Sequence, residues 1–133
     1  MTDPPGMIIH PSPHDAEKTV RRLRAAIERA GLTVFADIDH RENAVEVGLQ
    51  LRPTRLLIFG DPRGGTALMQ AGQTAGIDLP LRVLVWEDAD GTVRLGYADP
   101  RWIAERHGLG SAADAAVTAI GAGLQKLAAA ATA

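Results

Sequence analysis

The apolar residues of this chain change their period twice, and that limits it to mixed helix and sheet. Ala16, Val20, Leu23, Ile27 and Ala30 recur at helical spacing, and so do Ala113, Val117, Ile120, Leu124 and Leu127 near the other end. Between these stripes the period falls to two. Leu32, Val34, Ala36 and Ile38 recur at every second position, on one face of a strand, as do Val93, Leu95 and Tyr97. Leu56-Leu57-Ile58-Phe59 is a continuous apolar run, which predicts a strand buried on both faces. Met7-Ile8-Ile9 and Leu81 to Trp86 complete the set of strands.

Turn and capping residues punctuate these segments. Ser12 is placed to cap the first long helix, with Pro13 at its first position and Asp15 where a capping box wants an acid. Gly31 stops that helix. Asp39 and Glu42 open a short helix through Val47, and Asp99-Pro100 opens another that Gly108 ends. Asp88-Ala89-Asp90-Gly91 joins the last two strands as a hairpin. Ser111 and Asp114 open the Ala-rich final helix, over 111–130. The long helix between the first two strands requires a crossover, so those strands run in the same direction. The expectation is a single α+β domain over 1–133, a five-stranded, largely antiparallel sheet packed by two long helices in the order β-α-β4-α. A mixed α/β sheet is the alternative.

Composition removes several classes of function. The chain has 133 residues, enough for one real core. It contains no cysteine, which excludes disulfides, a thiol nucleophile and thiolate metal sites. Fourteen basic and 16 acidic residues give a net charge of −2, so no nucleic-acid partner is expected. Arg21, Arg22, Arg24 and Arg29 cluster, but Glu17 and Glu28 interleave with them, as on a solvated helix face. No apolar run approaches a membrane span, so no membrane partner is expected. Met1 to Gly6 lacks a basic segment followed by an apolar one, and the expected compartment is cytoplasmic.

Two constellations carry possible chemistry. Gly60, Gly65 and Thr66 lie in a glycine-rich turn after the apolar run, a context that suits phosphate binding on backbone N–H groups. The lysine of a P-loop is missing, Asp61 adds negative charge and Pro62 removes a donor. A tight turn with Asp61 capping a helix and Pro62 at its first position is the favoured reading. Asp37, Asp39 and His40 form the second candidate. On a regular strand Asp37 and Asp39 project away from the core residues, where two carboxylates and an imidazole suit a divalent metal or acid–base work. The simpler reading has Asp37 solvated, Asp39 as a helix cap and His40 at the surface. If the second and third strands are antiparallel, His40 and Gly60 lie a strand length apart, ~20 Å; if parallel, they are neighbours.

Other polar residues suggest no chemistry. His10 and His14 straddle a strand end and do not share a helix face, and His107 suits a helix C-terminus. Ser12 and Ser111 read as caps, and Glu87, Asp88 and Asp90 lack the spacing of a calcium loop. Trp86, Tyr97 and Trp102 read as a core cluster.

An ordered set of short segments resembles a known family. These are Ala36 to His40, Leu51 to Thr54, Ile58 to Pro62, Gly65 to Met69, Asp78 to Leu81, Val85 to Asp88, Gly91, and Tyr97 to Pro100. Together they resemble the bacterial and archaeal family catalogued as domain-of-unknown-function 302, over residues from about Ile8 to Leu109. The resemblance implies a TATA-box-binding-protein-like α+β fold and homodimers, and no established activity. It does not imply DNA binding, because a fold does not carry function with it. One departure is Asp61, where the family usually has Asn. The functional expectation is a non-enzymatic homodimeric module that binds a small ligand or a partner, with Asp39, His40, Gly60, Asp61, Gly65 and Thr66 as candidate ligand-binding residues. The alternatives are a metal-assisted or acid–base enzyme using Asp37, Asp39 and His40, and anion or nucleotide binding at Gly60 to Thr66. The residues specify no cofactor and no metal site.

Overall fold

The structure is a computed structural model describing residues 3–133; Met1 and Thr2 of the N-terminal segment lie outside it. The strands are β1 (Met7–Ser12), β2 (Thr33–Asp39), β3 (Thr54–Gly60), β4 (Leu81–Glu87) and β5 (Val93–Ala98). They form one five-stranded sheet in the order β1-β5-β4-β3-β2, with every neighbouring pair antiparallel. The antiparallel expectation holds and the mixed sheet does not occur. β1 and β2 run in the same direction, as the crossover requires, but at opposite edges of the sheet.

The helices are α1 (Ala16–Arg29), α2 (His40–Glu46), α3 (Pro62–Ala71), α4 (Pro100–Arg106) and α5 (Asp114–Thr132). Two 3₁₀ turns, Gln73–Asp78 and Ser111–Ala113, link them. α1 and α5 pack side by side on one face of the sheet. Val20, Leu23 and Ile27 of α1 meet Leu57, Phe59, Val83, Val85 and Leu95 of the sheet and Leu124 and Leu127 of α5. Each such fully buried aliphatic side chain contributes about 1.5–3 kcal/mol. Leu124 and Leu127 of the α5 stripe are therefore core. A satellite core of Leu68, Ala75, Leu109, Ala113 and Val117 holds α3 against the start of α5.

Several expectations need correction. β1 continues to Ser12, because an edge strand tolerates Pro11, so Asp15 and not Ser12 caps α1, accepting from the Lys18 N–H at 2.7 Å. Ser12 instead meets the buried Thr19 hydroxyl at 2.7 Å. Ala30 is the exposed C-cap of α1 and leaves the core stripe. The β3 run is not buried on both faces. Leu57 and Phe59 are buried under the helices, whereas Leu56 and Ile58 face the other side and are half-buried. The aromatic residues do not cluster. Trp86 lies over Gly96 on the side away from α1 and α5, Tyr97 is buried on the helix side, and Trp102 packs on Gly6 with Arg106 over its ring.

The largest correction lies in β2. Val34 pairs with Phe59 and Ala36 with Ile58, so Phe35 is an extra residue, a β-bulge. Beyond it the parity inverts. Leu32 and Val34 pack on the helix-side core, but Ala36 and Ile38 turn to the opposite face with Ile58 and Leu56. Asp37 and Asp39 consequently turn toward the helix side.

Candidate functional site

The inverted parity accounts for both acids of the first constellation. Arg55 pairs with Asp39 across the β2–β3 ladder, and its guanidinium binds Asp37 through Nε at 3.0 Å and Nη2 at 2.8 Å. Its Nη1 reaches Glu17 of α1 at 3.0 Å and lies 3.9 Å from Asp39. Arg24 of α1 adds a second contact to Asp37 at 3.0 Å. The Arg55 side chain is only 17% exposed and that of Asp37 21%. The bidentate hydrogen bond that Arg55 donates to Asp37 raises the Arg55 pKa further, against the opposing effect of burial. Asp39 also caps α2, accepting from the Glu42 N–H at 2.9 Å. His40 is exposed, and its ring makes no hydrogen bond to another described residue. Among the described residues no three His, Cys, Asp or Glu side chains converge as a metal would need. The arrangement ties β2, β3 and α1 together at one end of the sheet.

The glycine-rich turn lies at the other end. Thr33 pairs with Gly60 and Asp39 with Arg55, so His40 and Gly60 are separated by the length of β2, about 20 Å. Asp39 and His40 thus stand apart from Gly60, Asp61, Gly65 and Thr66. Asp61 caps α3, accepting from the Arg63 N–H at 2.9 Å, and Pro62 follows at the first helical position, as expected. The Arg63 side chain folds back on the carboxylate, with Nη2 to Oδ2 at 2.7 Å and Nε to both oxygens. The Arg63 hydrogen bond holds the Asp61 pKa below its ordinary value. Asn at this position would retain the cap and lose the ion pair.

Behind the turn is a cavity of about 530 Å³, within the range of small-molecule sites. Its floor is the end of the sheet, with Phe59, Gly60 and Leu81. One wall is α3, with Gly64, Gly65, Thr66 and Met69; the other is α5, with Ile120, Gly123, Leu124 and Leu127. Gly76, Leu79 and Pro80 close it from below, and Leu32 and Phe35 stand at the rim. The bulge brings Phe35 here, where it remains 52% exposed. Asp61 is the one charged lining residue among the described residues. Gly60, Asp61, Gly65 and Thr66 all line this cavity, so four of the six candidate residues meet there.

The helical glycines are the signal that reading by motif alone overlooks. Gly64, Gly65 and Gly123 lie inside helices, where glycine costs about 1 kcal/mol relative to alanine. A Cβ on Gly64 would sit 3.8 Å from Ile120, one on Gly65 3.8 Å from Leu79, and one on Gly123 would meet nothing within 4 Å. No close packing requires glycine at these positions; all three keep the space between α3 and α5 open.

A second cavity of about 480 Å³ lies on the other flank of α5, between Ile8, His10, Tyr97, Asp99 and Gln125. Burial raises the Tyr97 phenol pKa, with a smaller contribution from Asp99. Near the α4 end, His107 bridges Asp78 at 2.6 Å and Thr74 at 2.9 Å, with its side chain 7% exposed. Arg106 also binds Asp78, so this cluster fastens the first 3₁₀ turn to α4.

Comparison with known proteins places the chain. A solved structure, of an uncharacterized conserved DUF302 protein from Bacillus stearothermophilus, superposes with a TM-score of 0.75 over 97% of both chains at 21% identity, which shows a common fold. The chain is 45% identical over 115 residues, 86% of its length, to proteins of Brucella suis and Brucella abortus described as fluoride-specific ion channel FluC 1. It spans only 45% and 43% of those two proteins. The model of the family described as domain of unknown function DUF302 matches residues 8–127, nearly the whole of the sheet and helices, and the chain belongs to that family.

Proposed function

We propose that this domain is a non-enzymatic, homodimeric small-ligand-binding module whose site is the glycine-walled cavity between α3 and α5. The observation that carries this reading is the set of three helical glycines facing an open space. Sequences that break a local rule without a packing gain do so at functional sites. The polar groups nearby support binding over catalysis: Asp61 is saturated by Arg63, and no nucleophile paired with a base lines the cavity. An acid–base enzyme at Asp37, Asp39 and His40 is the weaker reading, since Arg55 occupies both carboxylates. Anion or nucleotide binding at the turn is weaker too, because the walls are apolar and Asp61 is anionic.

The dimer part rests on the sheet face away from α1 and α5. Ile9, Ile38, Leu56, Ile58 and Leu84 lie there half-buried. Such a face suits a second copy. Sedimentation that finds only monomer at micromolar concentration refutes this part.

The Brucella relatives favour an accessory role. The matched segment makes up less than half of a protein described as a fluoride-specific ion channel, and no described helix here is long and apolar enough to cross a membrane. A ligand-responsive attachment fits both facts better than a pore element does. Native mass spectrometry of protein taken from its own host without added ligand is the test. A reproducible extra mass that the Gly64→Leu variant loses supports the reading. The same extra mass, or none, in both proteins, with no small molecule able to shift amide resonances around the cavity, refutes it.

A further inference from the structure

Given the proposed binding role, the chemistry of the cavity also limits what it can bind. Away from Asp61 and Thr66 the lining offers hydrocarbon, aromatic and thioether surface and the Cα atoms of glycines. A charge placed against such a wall loses its water and gains no counter-ion. The mouth does not supply one either. The two Asp61 oxygens accept four hydrogen bonds from Arg63, one from its backbone N–H and three from its guanidinium. The resulting pair carries no net charge. An anionic headgroup at Asp61 is repelled by its carboxylate, and a cationic one competes there with Arg63. Arg63 is 91% exposed and held at this position by that carboxylate.

What remains unspent at the polar end is the Thr66 hydroxyl. It lines the cavity, is solvent-exposed, and makes no hydrogen bond to another described residue. It is the lining's one hydroxyl and serves as either donor or acceptor. Met69 and Phe35 add adaptable surface, since a thioether and an exposed aromatic ring tolerate ligands of different shape.

We infer that the cavity takes an uncharged amphipathic molecule, with an apolar body between α3 and α5 and a neutral hydroxyl or carbonyl head at Thr66. Carboxylates, phosphates and amines of the same body are disfavoured by the charge-free walls and by an Asp61–Arg63 pair that offers no net charge.

Three probes of equal chain length separate this inference from the binding role on which it rests: 1-decanol, decanoate and decylammonium. Each is titrated at pH 7 into the intact domain while amide NMR resonances are followed. The alcohol is expected to shift Gly60–Met69 and Ala119–Leu127 and to saturate at a concentration at least about tenfold below either ion. Gly64→Leu fills the space and is expected to abolish the shifts while circular dichroism stays unchanged; Gly123→Leu serves if that variant fails to fold. Thr66→Val is expected to weaken the alcohol about three- to tenfold, the effect of one hydrogen bond. If either ion binds as tightly as the alcohol at the same resonances, the charge-class inference is overturned and the cavity remains a binding site. If none of the three shifts those resonances, the binding role fails, and this inference with it. Undiminished binding in the filled variant also overturns it, since the ligand then lies elsewhere.

Discussion

Gly123→Ala tests whether the α5 glycine exists to keep space open. Gly123 lies in the middle of α5, and a Cβ there meets nothing within 4 Å. The added methyl therefore brings no clash, and the change in helix propensity should appear undiluted. Alanine is favoured over glycine in a helix interior by about 0.8–1.0 kcal/mol. Unfolding entropy near 60 °C is about 2.1 cal/mol/K per residue, which for this chain gives about 0.28 kcal/mol/K. The variant should therefore unfold about 3 °C higher. Urea denaturation at 25 °C should show the same stabilisation as a shifted midpoint with an unchanged slope. Gly72→Ala is the control. Its Cβ would lie 2.5 Å from Leu109 Cδ2 and 3.4 Å from the His107 carbonyl oxygen, and Leu109 is buried in the satellite core. That variant should lose about 1–3 kcal/mol. Destabilisation of Gly123→Ala by more than about 0.5 kcal/mol would refute the reasoning, because it would mean that the glycine serves packing.

Four further outcomes follow from the same contacts. Arg55→Met leaves Asp37 with Arg24 alone and Asp39 without a guanidinium, and should cost about 1–3 kcal/mol in urea denaturation; Arg55→Lys should restore only part, since an ammonium cannot reproduce the two-pronged contact. Phe35→Ala should cost only about 1 kcal/mol, because about half of the residue is exposed, yet weaken any cavity ligand in a calorimetric titration. Asp61 has a folded pKa below its ordinary 3.8, so its contribution is complete above that value and fades as pH falls through the lower folded one. Asp61→Asn should accordingly flatten the acid limb of a stability–pH curve and leave the neutral region little changed. Asp78→Ala removes the acceptor of the nearly buried His107 and should cost about 1–3 kcal/mol, read from thermal unfolding.

The sequence by itself determined what short-range physics controls. The helical stripes of α1 and α5, the caps at Asp39, Asp61 and Asp99, the Asp88–Gly91 hairpin and the antiparallel sheet all follow from periods and turn residues a few positions apart. The turn at Gly60 was recognisable for the same reason, since a cap and a proline at the first helical position interact over three residues. Only the tertiary structure decided the rest. Leu32, Val34, Ala36 and Ile38 keep a period of two in sequence as though β2 were regular, and only the apolar Phe35 departs from the otherwise polar series between them; the bulge itself exists only in the pairing with Phe59 and Ile58. That one extra residue sends Ala36 and Ile38 to the far face, turns Asp37 and Asp39 toward Arg55, and sets Phe35 at the rim of the cavity. The cavity itself is bounded by the end of the sheet, by α3 and by α5, segments brought together by packing across most of the chain. Its glycines are visible in the sequence, but each looks like a weak point in its own helix until the opposite wall is in place.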